Sequence, residues 1–566
     1  MKNNKNASAI NRRKFLKSSL NTAGVIGFSQ LMAEKSFAEF LPNPDPKAVV
    51  ETANGKIRGG ISDGVHIFRG IPYGADTSGK NRFMPPQSPP NWEGIRDTLN
   101  FGNMAPQGGG GPGGAIPPPS VRVTRTLFAP LNSQAHSEDC LYLNVWSRGV
   151  NQSPTRPVMV WLHGGGFTSG SGASSLYEGT NLCRRGDVVV VTLNHRLGAL
   201  AHLNLAEFGG EKFARSGMVG MLDIVKALEW VRDNIAQFGG DPNNVMIFGE
   251  SGGGRKVSTL LAMPGAKGLF HRAVVHSGPG IRFPAVKIAT RRAEIVMNEL
   301  GLKTNQIEEL QKIPFEKLIA VQALAERKVV AELPEGSSFF DGYGWSPVMG
   351  PDLPEWPFDP VASPAAKNIP IIIGSNRHEM ALFISPNKNL DEVDEATLKN
   401  QVESFAGDHA DHLIATYRKQ YPQEKLRGIL LLALADDRYR MDSIKIAERR
   451  VQQGGAPTYM YRFDWETPVW DGLLRASHAL EIPFAFDNAQ LCHAFTGGGP
   501  DAVALAAVMS ETWIQFARTG NPNNAVLPEW KAYDETNRAT MTFNDVSALQ
   551  NDPGKAEREV WQKIRP

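Results

Sequence analysis

The chain has 566 residues, of which 41% are hydrophobic and 21% charged, a composition typical of a large globular protein. Its formal net charge is +2, but the first 38 residues carry a net +6, which leaves −4 on the remainder. This balance gives no indication of a polyanionic partner, so no nucleic acid is expected. The three cysteines, an odd number, exclude a scaffold built on disulfides.

The N-terminal segment resembles a twin-arginine export signal. NRRKFLK at Asn11–Lys17 contains the arginine pair, a weakly apolar stretch follows at Leu20–Met32, and small residues follow at Ser36–Ala38. We therefore predict a signal peptide over residues 1–38 and an exported, periplasmic protein. The apolar stretch is too short and too polar to span a membrane, and no later segment approaches about 18 unbroken apolar residues, so no stable membrane anchor is expected.

Beyond this segment the sequence predicts short hairpin strands and then an alternation of strands and helices. The hairpin strands lie within Lys47–Phe68, and a low-complexity run at Gly108–Pro119 predicts a flexible loop. Apolar residues at helical spacing over Val219–Ile235 predict a helix that ends at Gly239. Apolar runs predict strands at Pro157–His163, Asp187–Leu193, Val245–Phe248, Arg272–Ser277, Ile369–Ser375 and Thr458–Phe463. This order predicts an α/β protein with a mostly parallel sheet covered by helices, without a linker that divides it.

The pattern G-x-S-x-G occurs twice, and the two copies lie in different contexts. Ser62 lies in GISDG between two alternating apolar runs, which predicts a β-hairpin turn. Ser251 lies in GESGG between the predicted strand Val245–Phe248 and a predicted helix over Gly252–Ala262. An activated serine needs such a sharp strand-to-helix turn with small neighbours. The sequence therefore predicts Ser251 as the candidate nucleophile.

A serine nucleophile needs a histidine to take its proton and a carboxylate to orient that histidine. Of the seven histidines after Ser251, His478 follows the last predicted strand and is the leading candidate, with His493 as the alternative. His378 and Glu379 are neighbours on a loop at the end of a strand. Taken one at a time, these residues are more often structural than catalytic.

Four other histidines are interpreted as structural. His271 and His276 flank a predicted strand and are expected in packing or turns. His409 and His412 have the i, i+3 spacing of a metal pair, but no HExxH motif or third ligand is nearby. We therefore expect a solvated helix face at this point and no metal.

A glycine-rich turn directly follows the predicted strand Pro157–His163. It reads HGGGF at His163–Phe167. Backbone N–H groups from such a turn, together with that of the residue after the nucleophile, form the oxyanion hole of a serine hydrolase. No G-x-G-x-x-G opens a helix after a strand and there is no P-loop, so no nucleotide cofactor is expected.

Several motifs follow one another in an order typical of one family. They are FRGIPYG (Phe68–Gly74), SEDCLYLNVW (Ser137–Trp146), HGGGF, NHRLG (Asn194–Gly198), GESGGG, GSNRHE (Gly374–Glu379), ASHALEIPFAF (Ala476–Phe486) and WIQFARTGNPN (Trp513–Asn523). In these motifs the chain resembles the type-B carboxylesterases and lipases, the cholinesterase-like branch of the α/β-hydrolases. The resemblance implies an α/β-hydrolase fold over residues 39–566, with a large, mostly parallel central sheet, N-terminal hairpin strands and cap-like insertions.

The resemblance also implies the roles of individual residues. Ser251 would be the nucleophile, Glu379 the orienting acid and His478 the general base and acid. The oxyanion N–H groups would come from the three glycines Gly165, Gly166 and Gly252. The implied reaction is hydrolysis of a small-molecule ester through an acyl-enzyme, without metal or cofactor.

The chain departs from the family pattern at two places. Ala105 lies where the family has a cysteine that pairs with the equivalent of Cys140, so that disulfide cannot form. Gly252 lies where alanine is common, and Arg255 and Lys256 lie where small residues are usual. These changes leave the implied mechanism intact but affect the shape of the pocket.

Two other functions remain open from the sequence. The same residues could transfer an acyl group to an alcohol or cleave amides, lactones or carbonates, since such reactions differ in pocket walls and water access. A non-catalytic binding module is disfavoured because the serine, the acid and the histidine candidates are all present. Four tryptophans could line a gorge or belong to the core, with at least half expected in the core: Trp345, Trp356, Trp465 and Trp470.

Overall fold

The structure is a computed structural model that describes residues 43–108, 134–333, 344–384 and 393–565. The predicted signal peptide and nearly all of the glycine-rich run at Gly108–Pro119 lie outside these residues. None of the described helices is long and apolar enough to cross a membrane.

The described residues form one sheet of thirteen strands. The strands are β1 (Asn43–Thr52), β2 (Gly55–Ser62), β3 (Val65–Pro72), β4 (Ile95–Asp97), β5 (Tyr142–Ser147), β6 (Arg156–Leu162), β7 (Val189–Leu193), β8 (Gly240–Glu250), β9 (Arg272–His276), β10 (Ile371–Asn376), β11 (Thr458–Phe463), β12 (Ala539–Phe543) and β13 (Ala548–Asn551). They lie in the order β1-β2-β3-β5-β7-β6-β8-β9-β10-β11-β12-β13, and β4 pairs with β2. The block from β7 to β12 is parallel throughout, and antiparallel strands flank it on both sides.

Helices cover both faces of the sheet. The longer helices are α1 (Thr180–Gly186), α2 (Val219–Asn234), α3 (Gly252–Leu260), α4 (Val286–Glu299), α5 (Phe315–Ala331), α6 (Glu395–Ala406), α7 (Ala410–Gln420), α8 (Leu426–Ala435), α9 (Met441–Gln453), α10 (Pro500–Thr519) and α11 (Lys555–Ile564). A π-helix at Asp436–Arg440 joins α8 to α9. One-turn helices occur at Ala199–His202, Ala206–Gly209, Ile307–Leu310, Ala381–Ile384, Ile482–Ala485 and His493–Thr496.

Alternate side chains of each central strand enter two separate cores, one on each face of the sheet. In β6, Val160 belongs to the first core and Trp161 to the second. Leu228 of α2 packs in the first core and Trp513 of α10 in the second. Because both faces are covered, these strands need apolar residues at consecutive positions, which explains the continuous apolar runs in the sequence.

The predicted strands and helices are confirmed, with shifts at their ends that are largest at β8, which begins five residues before the predicted Val245. The six predicted strands correspond to β6 to β11, and the predicted helix over Val219–Ile235 is α2, followed by a 3₁₀ turn that ends at Gly239 in the left-handed region (φ 73°). Ser62 is the last residue of β2, and Asp63 (φ 50°) and Gly64 (φ 74°) make the turn to β3. The second G-x-S-x-G copy is therefore a hairpin turn.

The three cysteines are buried, whereas the four tryptophans named above differ in their exposure. Cys140, like the other two cysteines, is a buried free thiol, and Ala105 is buried where the family has a cysteine. Trp345 and Trp465 are buried in the core, whereas Trp470 is 46% exposed. At least half of the four tryptophans are therefore core residues.

Candidate active site

Ser251 occupies a sharp turn between a strand and a helix. β8 ends at Glu250, α3 begins at Gly252, and Ser251 between them has φ 58° and ψ −119°. A positive φ is uncommon outside glycine and marks a constrained position, often at a functional site. Its backbone N–H donates to the carbonyl oxygen of His276 (2.9 Å), and its carbonyl accepts from the N–H of Arg255 (3.0 Å). The serine is thereby held at the N-terminus of α3, where it is partly exposed.

Small residues on both sides make this turn possible. A methyl group at Gly253 would lie 1.9 Å from the carbonyl oxygen of Leu162, and one at Gly249 would lie 2.6 Å from the backbone of Gly253. Both distances are far below van der Waals contact. The glycines of the motif are therefore required by the close approach of β6, β8 and α3.

Glu379 and His478 are paired by a short hydrogen bond. Glu379 follows β10, is fully buried, and accepts from the backbone N–H of Asn376 (2.7 Å) through Oε1. Its Oε2 lies 2.6 Å from His478 Nδ1. This distance fits a hydrogen bond from Nδ1–H to the carboxyl oxygen, which is the tautomer that has its lone pair on Nε2. Among the described residues, Nε2 has no hydrogen-bond partner.

Two aromatic rings flank the imidazole of His478. The ring centroid of Tyr439, in the π-helix, lies 4.9 Å from that of His478, and the ring of Phe383 lies 5.2 Å away. Phe383 is 44% exposed. The histidine is therefore fixed in orientation, and an apolar ring beside it remains accessible.

Two further buried carboxyl groups surround this pair. Glu250 Oε1 lies 3.0 Å from His478 Nε2 without the alignment of a hydrogen bond. Burial raises the pKa of Glu250 well above its usual range, and the charge of Glu379 raises that pKa further. Glu481 accepts from Asn376 Nδ2 (2.5 Å), and its pKa is likewise raised, first by burial and then by Glu250 and Glu379. Burial thus disfavours the charged form of both carboxyl groups, and it is Glu379 that bonds to His478 Nδ1.

Neither Glu250 nor Glu481 was singled out from the sequence. Both lie within the motifs GESGGG and ASHALEIPFAF, next to the candidate serine and three residues after the candidate histidine. Their positions beside these residues were the available signal. Their burial depends on the tertiary fold and could not be read from the motifs.

The HGGGF turn lies against the start of α3. Gly165 (φ 83°) and Gly166 (φ 62°) are both in the left-handed region that favours glycine. A methyl group at Gly164 would lie 3.5 Å from Ser251 Cβ, and one at Gly252 would lie 2.0 Å from the carbonyl oxygen of Gly166. The structure thus places Gly164 of the turn beside Ser251, and Gly166 against Gly252.

The other candidate histidines lie elsewhere. His493 is exposed at the start of a one-turn helix. His378 is buried, with Nδ1 3.8 Å from Glu466. His409 and His412 are exposed at the start of α7, as expected for a solvated face. Of these histidines and His478, it is His478 that bonds to Glu379.

The sheet, its helices and the serine at the strand-to-helix turn define an α/β-hydrolase. Residues 46–561 match the model of the carboxylesterase family. The chain is 35% identical over 524 residues to para-nitrobenzyl esterase of Bacillus subtilis (strain 168), covering 92% of this chain and 98% of the relative. It is 31% identical over 511 residues to phenmedipham hydrolase of Pseudarthrobacter oxydans, covering 89% and 96%. The crystal structure of the Geobacillus stearothermophilus carboxylesterase EST55 superposes with a TM-score of 0.76 at 36% identity, covering 91% of this chain and 100% of that one. The chain belongs to the carboxylesterase family and is a serine carboxylesterase.

Proposed function

We propose that the protein hydrolyses carboxylic esters through a triad of Ser251, His478 and Glu379. The observation that carries this proposal is the 2.6 Å distance between Glu379 Oε2 and His478 Nδ1, a pairing that favours the tautomer with its proton on Nδ1 and its lone pair on Nε2. The position of Ser251 at the N-terminus of α3 supports it further. A carboxylate that holds the histidine tautomer is what a serine nucleophile requires.

The reaction proceeds in two halves. Ser251 Oγ attacks the ester carbonyl while its proton passes to His478 Nε2, and Glu379 stabilises the imidazolium that forms. The tetrahedral oxyanion accepts hydrogen bonds from the backbone N–H groups of Gly165, Gly166 and Gly252. Collapse of this intermediate breaks the ester C–O bond, and the departing alcohol takes the proton from Nε2. Water then attacks the acyl-enzyme in the same way and releases the acid.

We infer that the substrate is a small ester with an apolar or aromatic part. Phe383 is 44% exposed and its ring lies 5.2 Å from the ring of His478, so a bound ester has an apolar surface beside the reacting groups. Apolar rings of this kind bind aromatic groups by offset or edge-to-face contact. The name of the para-nitrobenzyl esterase relative is consistent with an aromatic ester.

Hydrolysis of p-nitrophenyl esters from acetate to laurate tests this function. We expect release of p-nitrophenol across part of the series, with an optimum that reports the length of the acyl pocket. The matched control is the same protein after reaction with a fluorophosphonate, which should lose activity in proportion to labelling. A folded chain that hydrolyses no ester of the series would contradict the proposal.

We also propose that residues 1–38 direct the chain out of the cytoplasm by the twin-arginine route. The arginine pair at Arg12 and Arg13, followed by the weakly apolar stretch, supports this. Changing both arginines to lysine is expected to abolish delivery to the periplasm, as measured by esterase activity in separated cell fractions. The matched control changes Lys2 and Lys5 to arginine, which keeps the charge and should leave export intact. Equal export of both variants would refute the proposed route.

A further inference from the structure

Lys256 is a buried lysine that contacts both ends of the HGGGF turn. Its side chain lies on α3 and is fully buried. Nζ donates to the carbonyl oxygen of His163 at 2.8 Å and lies 5.7 Å from the ring centroid of Phe167. His163 and Phe167 are the first and last residues of the turn. The side chain of Lys256 therefore connects α3, the helix that begins after Ser251, to the first and last residues of the turn.

Within the described residues, no carboxylate forms a hydrogen bond or an ion pair with Lys256. Its hydrogen bond goes to a peptide carbonyl, and the rings of His163 and His195 are stacked nearby with centroids 4.9 Å apart. Burial lowers the pKa of both histidines well below their usual range, and the charge of Lys256 lowers those pKa values further. Burial lowers the pKa of Lys256 itself to about 7, while the charge of Glu250 opposes that shift. A buried lysine amine is costly unless it has a hydrogen-bond partner, and here that partner is the carbonyl oxygen of His163.

Gly252 provides an independent observation on the same loop. A methyl group at this position would lie 2.0 Å from the carbonyl oxygen of Gly166 and 2.5 Å from its Cα. The alanine that is common here in the family would therefore push the turn away from α3. Gly252 and Lys256, two of the departures from the family pattern, both favour close contact between the turn and the helix.

We propose that Lys256 is a positioning residue that holds the HGGGF turn in place, so that the N–H groups of Gly165 and Gly166 face the oxyanion formed at Ser251. This inference rests on the proposed function. Oxyanion contacts form mainly in the transition state, so loosening the turn lowers kcat and changes KM little. The effect passes through the carbonyl of His163 and the ring of Phe167, since Lys256 is buried beneath the turn.

The test compares Lys256→Met with Lys256→Gln. Methionine keeps the apolar stem without a donor, and glutamine restores one N–H for the carbonyl of His163. For a p-nitrophenyl ester we expect Lys256→Met to lower kcat about 10²-fold, as loss of an oxyanion donor does, with KM changed by less than about threefold. Lys256→Gln should recover part of kcat. Affinity for an aryl trifluoromethyl ketone, which forms the tetrahedral adduct, should fall in parallel with kcat/KM.

Other outcomes overturn the inference without affecting the proposed triad. A kcat near that of the wild type in Lys256→Met, with Ser251→Ala inactive, would show that the turn does not need the lysine. A rise in KM that accounts for the whole loss, or unchanged affinity for the ketone, would show a role in substrate binding or in general packing. If Lys256→Met does not fold, the same measurements are made on Lys256→Gln. A folded Lys256→Gln that binds the ketone no more tightly than a Gly166→Ala variant would show that the restored N–H donor does not hold the turn in place, which refutes the inference. Activity retained in Ser251→Ala would instead overturn the proposed function.

Discussion

Replacement of Ser251 by alanine is expected to lower kcat for ester hydrolysis about 10⁶-fold. The reason is that the reaction requires an acyl-enzyme, and the alanine side chain has no atom that can carry the acyl group. The turn itself should persist, because its hydrogen bonds are made by the backbone of residue 251 to His276 and Arg255. The loss should therefore occur without a change in the thermal unfolding midpoint larger than a few degrees.

The chain provides its own matched control for this experiment. Ser62 lies in the other G-x-S-x-G copy, at the end of β2 and directly before a hairpin turn. Ser62→Ala should keep hydrolysis within about twofold of the wild type. Comparable losses of kcat in the two variants would mean that a residue other than Ser251 is the nucleophile. Hydrolysis by Ser251→Ala above about one percent of the wild-type rate would mean the same.

Replacement of Glu379 by glutamine is expected to lower kcat about 10⁴-fold, the size of effect seen when the orienting acid of a serine triad becomes an amide. Glutamine has nearly the same shape and can still accept from the N–H of Asn376. When its amide oxygen makes that contact, its amide N–H₂ faces His478 Nδ1. A donor at this position favours the histidine tautomer that has its proton on Nε2. In that tautomer the histidine cannot accept the proton of Ser251.

The control for Glu379 is Glu481→Gln. Glu481 is also fully buried and also bonds to Asn376, but through the side-chain amide, and it does not bond to His478. Because its pKa is raised well above the usual range, it is expected to be neutral, and an amide replaces it with little electrostatic change. We therefore expect a loss of no more than about tenfold. The measurement is kcat on a p-nitrophenyl ester together with circular dichroism, and equal losses in both variants would mean that Glu379 has no special role in orienting the histidine.

The parallel sheet could be predicted from sequence because burial on both faces forces continuous apolar runs. The ends of the strands could be predicted less well from the sequence, because pairing with a neighbouring strand extends a strand into polar residues. β8 begins at Gly240 rather than at Val245, and its first residue pairs with Arg156 across an irregularity in the register. The π-helix at Asp436–Arg440, which brings Tyr439 against the candidate histidine, has no comparable signal in the sequence.

The site shows the same division between local and tertiary information. Ser251 could be predicted because a strand, a small-residue turn and a helix follow one another locally. The choice between His478 and His493 could not be made locally, because it depends on a bond to Glu379, which lies 99 residues away in sequence from His478. In the sequence Lys256 differs from the family pattern, but its contact with His163 spans 93 residues and is visible only in the fold.

The most direct test of the central claim is the site of covalent labelling. The chain is reacted with a fluorophosphonate, digested, and its peptides are sequenced by mass spectrometry. We expect one modified residue, Ser251, in the wild type and in Ser62→Ala, and no labelling in Ser251→Ala. Stoichiometric labelling at any other serine, or labelling that survives in Ser251→Ala, would contradict the proposed mechanism.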